Sequence, residues 1–398
     1  MRGMKRHARL IRLVAAIAVA VAITVPVATG ASDVGARQTA TKLVIGDNTP
    51  RSGANAGAYL YSEGFQGYLD LVNKSGGVNG YTFEVDTRDN VYNAAQSALA
   101  QNQLLAKNPF AISVIGTLPV VSAAEVSKNQ GSTVPLMVAA DGALVQSLSK
   151  SLPGGGIFGV VPNYSYLGPY DAQFIMNKLK DKRFALAWEN SALAQGAQTA
   201  INRYVRRNGG SLRASIPVEP TTTDFVPLAT RLKASGAKTV LVWTNLSALA
   251  SLQKAADQIG FKPTWVTPFF SQNSAYLRLA GTLAEGTYIN GIWPTRGPAV
   301  AKFVKKMQSF APRAINSSGM GGWMLAALLV EGIRGSTAGG GKLTHERFVG
   351  ALRRLNKTVE LAQLDYRTRN WGLNRAAMYQ VRKNRFVQVQ GFSKLPGL

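Results

Sequence analysis

The feature that most constrains the fold is a repeated alternation of short apolar runs with amphipathic stretches of helical period. The first series predicts strands at 43–46, 82–86, 110–115 and 134–138. Helices are predicted between them, at 63–74, 94–107 and 122–130. Strands that alternate with helices in this way form parallel sheets, so this part of the chain predicts a doubly wound α/β lobe with a mostly parallel sheet flanked by helices.

The same order then starts again and predicts a second lobe of the same kind. Its strands are predicted at 183–188, 212–218, 239–243, 264–267 and 287–292. Its helices are predicted at 170–179, 196–208, 225–235, 249–259 and 275–281. Two domains are also the expectation from length, because the 398 residues exceed the roughly 250–300 at which single cores stop growing.

Three more helices and a β-rich tail follow the second series. The helices are predicted at 299–310, 320–334 and 344–355, and the tail strands at 377–381 and 385–389. A helix with an apolar face needs a surface to cover. The simplest arrangement returns these helices to the first lobe.

Composition excludes several kinds of chemistry. The chain has no cysteine, which rules out disulfides, zinc knuckles and thiol nucleophiles. Its two histidines are His7 and His345, too few for a histidine-rich metal site or a conventional Ser-His-Asp triad. We therefore expect no catalytic residue, no metal and no cofactor, and we expect that the protein is not an enzyme.

The amino terminus has the three parts of a secretory signal. Five of the first twelve residues are Lys or Arg, an apolar run follows at 13–27, and small residues follow at 28–32. We predict a signal peptide at 1–31, a linker at 32–42, and a protein exported to the periplasm or to the extracellular face of the cytoplasmic membrane. The alternative is an uncleaved anchor helix, because the run nearly has the length of a membrane span.

The formal net charge of +25 leaves +20 after the five cations of the amino terminus are removed, since 25 − 5 = 20. Most of the remaining cations are scattered over predicted polar helix faces and turns, without interleaved aromatic residues for base stacking. This pattern favours solvated surfaces over nucleic-acid binding, so no nucleic-acid partner is expected. Association with an anionic envelope surface is compatible with the charge.

Two α/β lobes suggest where a ligand would bind. In open parallel sheets the ligand lies beyond the carboxyl ends of the strands, and two such edges facing each other form a cleft. Closure of a cleft over a small ligand is a common domain motion. Tyr164 and Tyr166 lie where the lobes would join, and either could pack there or contact a ligand.

Five segments carry a resemblance to a known family. They are Asp47-Asn-Thr-Pro-Arg-Ser-Gly53, Val72-Asn-Lys-Ser-Gly-Gly-Val-Asn-Gly80, Val114-Ile-Gly-Thr-Leu-Pro119, Val134-Pro-Leu-Met-Val138 and Thr223-Asp-Phe-Val-Pro-Leu-Ala-Thr-Arg-Leu-Lys233. In this order and spacing they resemble the branched-chain-amino-acid-type solute-binding proteins of ABC transporters. The resemblance extends roughly from Leu43 to Phe392.

The resemblance implies a two-lobed type I periplasmic-binding-protein fold with three hinge crossings. The crossings are expected near 161–163, 291–294 and 363–366. The N-terminal lobe is then 43–161 plus 294–361, and the C-terminal lobe 162–293 plus 362–398. The resemblance further implies a protein that captures a small organic ligand and delivers it to the membrane permease of an ABC importer. We expect this protein to be a monomer. A ligand sensor coupled to a membrane kinase or chemoreceptor is the alternative.

In this family, hydroxyls and backbone amides of the first lobe hold a ligand carboxylate. The matching stretches here are Pro119-Val-Val-Ser122 and Ala139-Ala-Asp-Gly-Ala143, where apolar residues replace most of the hydroxyls. Ser122 could instead cap a helix, and Asp141 could either receive a cationic or amide group or begin a helix. The ligand-binding residues expected from this lobe are Ser52, Val120, Val121, Ser122, Ala140, Asp141 and Gly142.

From the second lobe we expect Asn190, Trp243, Asn245 and Phe270 to bind the ligand. The two aromatic residues could stack on an apolar or planar group, and the two asparagines could orient it by hydrogen bonds. Each aromatic residue could equally belong to the core. Together these residues predict a ligand less polar than a zwitterionic amino acid, such as an amide or an apolar or aromatic metabolite, although backbone amides could still hold a carboxylate.

Overall fold

The computed structural model describes residues 40–52 and 58–398. The predicted signal peptide and most of the predicted linker lie outside the described residues. The first sheet has five strands, β1 (Thr41–Thr49), β2 (Tyr81–Asp89), β3 (Ala111–Ile115), β4 (Leu136–Ala139) and β5 (Ile157–Gly159). Their order is β2-β1-β3-β4-β5 and every neighbouring pair is parallel. The switch of strand order beside β1 opens a crevice at the carboxyl ends of the strands.

Helices cover both faces of this sheet. They are α1 (Tyr59–Lys74), α2 (Ala94–Leu105), α3 (Thr117–Asn129) and α4 (Gly142–Leu148). Consecutive residues of β1 face opposite layers: Asp47 accepts a hydrogen bond from Ser62 of α1, and Asn48 donates to the Ser97 carbonyl of α2. The sheet is therefore buried on both sides, as parallel sheets are.

The second lobe repeats this arrangement with five parallel strands. They are β6 (Arg183–Glu189), β7 (Ser211–Val218), β8 (Thr239–Trp243), β9 (Thr264–Thr267) and β10 (Tyr288–Gly291). The helices are α5 (Tyr164–Asn177), α6 (Gln195–Arg207), α7 (Val226–Ala234), α8 (Leu246–Gln258) and α9 (Ser274–Ala280). Fully buried apolar strands such as β8 form the centre of this sheet.

The chain then returns to the first sheet with α10 (Pro298–Phe310), α11 (Ser317–Ser336), α12 (His345–Arg353) and the hairpin of β11 (Asn356–Val359) and β12 (Ala362–Asp365). Helix α11 packs directly on α1. The backbones are so close that a Cβ added at Gly64 would meet the Gly319 carbonyl, and one added at Gly322 would meet the Tyr61 carbonyl. Glycine at these contacts lets the two backbones touch, which carries the first turn of α11 to the crevice.

Two antiparallel strands complete the second sheet. They are β13 (Arg375–Arg382) and β14 (Arg385–Lys394), and the order becomes β14-β13-β10-β9-β8-β6-β7. The two-lobed α/β architecture is thus as the sequence predicts. The exact lobe boundaries stay predictions. No helix in the described part of the chain is both long enough and apolar enough to cross a bilayer.

Of the helices that begin earlier than predicted, two differ by five residues or more. Helix α3 starts at Thr117 rather than residue 122, after Gly116, whose φ is 105°. Helix α5 starts at Tyr164 rather than residue 170, because the Asn163 side chain accepts a hydrogen bond from the Ser165 backbone and caps the helix. Strand β5 has three residues and the β11–β12 hairpin has four in each strand, too short to stand out in a hydrophobic pattern.

Candidate functional site

A cavity of about 300 Å³ lies where the carboxyl ends of both sheets meet, within the size range of small-molecule sites. Its walls come from the first sheet and the helices on it, from the segment that links the sheets, and from the second sheet. The first-lobe lining residues are Ala58, Tyr61, Tyr92, Ile115, Gly116, Thr117, Ala139, Ser317 and Ser318. A molecule in this cavity would contact both lobes.

The other wall comes from the second lobe and the linking segment. The lining residues there are Val161, Tyr164, Leu193, Asn245, Leu246, Ser247, Phe269, Phe270, Asn273, Ala275 and Leu279. A hydrogen bond crosses the cavity: the Asn273 amide donates to the Ser318 hydroxyl at 3.4 Å. Asn273 and Ser318 are therefore positioned to hold the lobes together around a bound ligand.

The polar end of the cavity is built on the turn from β3 to α3. Gly116 has a backbone conformation that favours glycine, and this conformation turns the chain sharply into the helix. Pro119 is accommodated in the first helical turn, where no intrahelical N–H is needed. The early helix start brings Thr117 to the cavity wall, while Val120 turns into the core and is fully buried.

Three phenol rings surround this turn. Thr117 interacts with Tyr164 through its side chain and with Tyr92 through its backbone, and Tyr61 lies close to Tyr164. Burial raises the pKa of all three phenols, so each is a neutral hydroxyl at physiological pH. This end of the cavity therefore presents uncharged hydrogen-bond donors to a ligand.

Another part of the lining is aromatic. Phe269 and Phe270, named here the aromatic wall, lie in a short 3₁₀ turn after β9 and line the cavity. Their ring centroids are 4.6 Å apart, and the Phe270 ring packs edge-on against Tyr164 at 5.6 Å. Trp243 stands behind them, with its ring centroid 5.9 Å from that of Phe270.

Asn245 lines the cavity, but its amide is already engaged. Its oxygen accepts hydrogen bonds from the Ser247 and Ala248 backbones and so caps α8, and its amide nitrogen donates to Glu189 at 3.1 Å. Phe270 also lines the cavity. Ligand binding by Asn245 and Phe270 stays a prediction that this geometry favours.

The structure places Trp243 in the core, behind the cavity rather than in its lining. Its side chain is fully buried, and its indole N–H donates to Asp171 at 3.0 Å. Strand β8 is buried on both faces, so an alternating pattern could not indicate which way the indole points. Stacking of Trp243 on a ligand is therefore not supported; the ring supports Phe270 instead.

Asp141 and Gly142 also have structural roles. The Asp141 carboxylate accepts hydrogen bonds from the Ala143 and Tyr164 backbones, which caps α4 and ties it to the start of α5. Burial raises the pKa of Asp141 to about 6. A Cβ at Gly142 would meet Trp371 and the Asn163 backbone, so close chain packing explains the glycine.

The remaining predicted residues lie outside the lining of this cavity in the described part of the chain. Ser52 is exposed and donates to Asp89, and Asn190 is exposed and donates to Glu219. Val120, Val121 and Ser122 belong to α3, whose early start turns them away from the cavity. Ala140 is buried directly after β4.

Sequence reasoning missed several residues that line the cavity. Tyr61 lies on α1, and Tyr92 in the loop before α2, far apart along the chain. Ser317 and Ser318 begin α11, more than 170 residues after β4. The available signal was the sharp Gly116-Thr117 turn at the end of a buried strand, a position where ligands bind in parallel sheets.

The described part of the cavity lining carries no formal charge. Among the lining residues that the structure describes, none is an Asp, Glu, Lys, Arg or His. Within residues 40–52 and 58–398, no group of three or more His, Asp or Glu side chains is arranged to hold a metal ion. The arrangement can orient an uncharged or singly polar ligand by hydrogen bonds and bury its apolar part against the aromatic wall.

The fold and cavity together define a two-lobed type I periplasmic-binding-protein architecture. A family model described as periplasmic binding protein matches residues 42–385, and the chain belongs to this family. A Leu/Ile/Val-binding protein homolog of Brucella melitensis is 22% identical over 249 residues, covering 62% of this chain and 66% of that relative. The match thus spans slightly less than two thirds of that relative.

Solved structures share the fold at low identity. A fatty acid ABC transporter substrate-binding protein from Thermomonospora curvata superposes with a TM-score of 0.79 and 18% identity, covering 89% of this chain and 93% of that chain. A branched-chain amino acid ABC transporter protein from Thermus thermophilus with bound valine gives 0.77 and 18%, covering 89% and 97%. The comparison supports a solute-binding role and leaves the ligand open, since these relatives are named for different ligands.

Proposed function

We propose that this protein is an extracytoplasmic receptor that binds a small apolar carboxylic acid between its two lobes and delivers it to the permease of an ABC importer. The observation that carries the proposal is the cavity of about 300 Å³, which residues of both lobes line. A ligand favours the closed state only as far as it binds that state better, and contacts to both lobes supply this difference.

The lining of the cavity selects the class of ligand. An ammonium group enclosed there would lose its water without gaining a carboxylate partner from the described lining residues, which is costly. Glu189 contacts the lining residue Asn245, but its two oxygens already accept hydrogen bonds from Ser191 and Asn245. A free amino acid is therefore disfavoured.

A carboxylate fits the polar end better. The phenols of Tyr61, Tyr92 and Tyr164 can donate hydrogen bonds, and the hydroxyl-bearing Thr117 lines the same part of the cavity. Hydrogen bonds to an ionised acceptor are about twice as strong as those between neutral groups. The apolar remainder of such an acid would pack on Phe269 and Phe270.

Location and partner follow from the proposed role. A receptor of this kind works outside the cytoplasmic membrane, in agreement with the signal predicted at 1–31. We propose that the closed, liganded form docks on a membrane permease and that the receptor is a monomer.

The test is a binding panel on the purified protein. Native mass spectrometry would first detect any ligand retained through purification. Calorimetry and thermal unfolding would then compare phenylacetate and octanoate with phenylacetamide, leucine and valine. At about 100 times its dissociation constant, a true ligand adds about 2.7 kcal/mol to the free energy of unfolding.

We expect one of the acids to bind with 1:1 stoichiometry, its amide to bind more weakly, and leucine not to bind. Small-angle scattering should show compaction with the bound acid. Equal or tighter binding of leucine would show that the ligand class is wrong. Stoichiometric binding without compaction would contradict capture by closure of the lobes.

A further inference from the structure

A buried carboxylate stands directly behind the aromatic wall. Asp171 lies on α5, is fully buried, and accepts two hydrogen bonds, one from the Trp243 indole N–H at 3.0 Å and one from the Asn290 amide at 2.7 Å. No ion pair found in the described part of the chain involves Asp171. A buried acid without a cation is expensive to keep, so its partners indicate what it does.

Both partners lead to the cavity. The Asn290 side-chain oxygen accepts a hydrogen bond from the Phe269 backbone N–H at 3.0 Å, which anchors the turn that carries the aromatic wall. The Trp243 ring packs edge-on against Phe270 and Tyr164, with centroid distances of 5.9 and 5.3 Å. Asp171 thus holds the backbone of the aromatic wall through Asn290 and supports its rings through Trp243.

We infer that Asp171 is a positioning residue, which fixes the aromatic wall through Asn290 and Trp243 and so determines which apolar groups the cavity accepts. The inference rests on the proposed function for its effect on binding. The positioning itself can be measured without any ligand.

The direction of the hydrogen bonds makes the inference specific. Trp243 and Asn290 both donate to Asp171, and Asn290 accepts from Phe269. In Asp171→Asn, the new amide can accept one of the two bonds, but its NH₂ group then faces another donor. If the Asn290 amide rotates to accept from it, its own NH₂ group faces the Phe269 N–H. Every orientation leaves one pair of donors opposed.

A second substitution restores the pattern. In the double variant Asp171→Asn with Asn290→Asp, the amide at position 171 accepts from Trp243 and donates to the carboxylate at position 290. That carboxylate also accepts from the Phe269 N–H. The double variant keeps one buried negative charge and satisfies each donor, so it tests the arrangement rather than the mere presence of an acid.

The experiment is run at pH 9, because burial raises the pKa of Asp171 to about 8 and the carboxylate is ionised above that value. It measures hydrogen exchange of the Phe269 amide and the binding of phenylacetate and octanoate in the wild type and both variants. In Asp171→Asn we expect Phe269 exchange at least about tenfold faster, affinity for both acids at least about tenfold lower, and an altered ratio between them. The double variant should return exchange and affinity to within about threefold of the wild type.

Gln253→Leu is the matched control. Gln253 is buried in the same lobe, where it bonds to Thr287 and Tyr276 and does not line the cavity. It should lower the melting temperature while leaving Phe269 exchange and acid binding unchanged, which separates a general loss of stability from displacement of the wall.

Unchanged Phe269 exchange and unchanged affinity in Asp171→Asn would overturn the inference, as would a double variant no better than the single one. If neither acid binds the wild type, the proposed ligand class fails. The exchange result then still decides whether Asp171 positions the wall.

Discussion

The ring of Tyr92 packs against the face of Gly116 where any other residue would carry its Cβ. Gly116 has a φ of 105°, so both its conformation and its surroundings favour glycine. The contact joins the end of β3, the start of α3 and one of the phenols at the polar end of the cavity.

Gly116→Ala should therefore lower stability and binding together. A Cβ in this backbone region costs about 1 kcal/mol or more, and displacement of the Tyr92 ring adds a packing loss. Gly131→Ala is the control, because Gly131 has a φ of 62° but nothing within 4 Å of an added Cβ. We expect Gly131→Ala to lose stability alone, measured by urea unfolding. Equal affinity losses in both variants would contradict the role of the Tyr92 contact.

Removing single phenol oxygens tests the polar end. Tyr92→Phe and Tyr164→Phe keep the rings and delete one donor each, so each should weaken binding of an apolar acid by roughly 0.5–1.5 kcal/mol. The amide of the same acid depends less on these hydrogen-bond donors, so its affinity should fall less. Tyr288→Phe is the control, because Tyr288 packs on Phe174 outside the cavity lining. Calorimetric titration gives the affinities, and an equal loss for acid and amide would rule out a carboxylate at this end.

Trp243→Ala separates a core role from direct stacking on the ligand. Because Trp243 is fully buried and bonded to Asp171, the change should cost about 3–5 kcal/mol of stability without ligand. Stacking alone would weaken binding and leave the stability of the unliganded protein nearly unchanged. Chemical denaturation of the unliganded variant distinguishes the two outcomes.

The order of strands and helices could be predicted from the sequence because the local spacing of apolar residues indicates each element. The two lobes, the crevice at the carboxyl ends of the strands and the return of the last three helices follow from packing rules that need no coordinates. The helix starts at Thr117 and Tyr164 could be predicted less accurately, because the Gly116 conformation and the Asn163 cap determine them.

The candidate site was harder to predict for a different reason. Strand β8 is buried throughout, so its sequence does not reveal whether Trp243 faces the cavity or α5. The phenols of Tyr61, Tyr92 and Tyr164 lie on three separate elements, and only the packed fold brings them to one turn. Asn245 and Phe270 were placed at the cavity because they directly follow strand ends.

Asp141→Asn tests whether this acid recognises ligand. Its carboxylate caps α4 and accepts from the Tyr164 backbone, so the substitution should lower stability by about 0.5–2 kcal/mol. The relative affinities for acids and amides should stay the same, because Asp141 lies outside the described cavity lining. A change in the relative affinity for acids and amides in the binding panel would show that Asp141 contributes to ligand recognition.

Stability should fall as pH rises from 6.5 to 8, because of Asp171. Burial raises its pKa from 3.8 to about 8, so the folded protein holds a proton that the unfolded chain has released. An acid whose pKa is raised in the folded state contributes most to stability at low pH. This contribution is lost as pH rises through the folded pKa, by at most about 1.4 kcal/mol per pH unit. Asp47 and Asp141, whose pKa values burial raises to about 6, act mainly below this window.

The measurement is urea unfolding of the wild type and Asp171→Asn at pH 6.5, 7.25 and 8. His345, whose pKa burial lowers from 6.5, has the opposite sign and acts below the window. The variant should show a flatter dependence on pH, whatever its absolute stability. Parallel profiles for the two proteins would mean that Asp171 does not titrate in this range, and that its hydrogen bonds from Trp243 and Asn290 outweigh its burial.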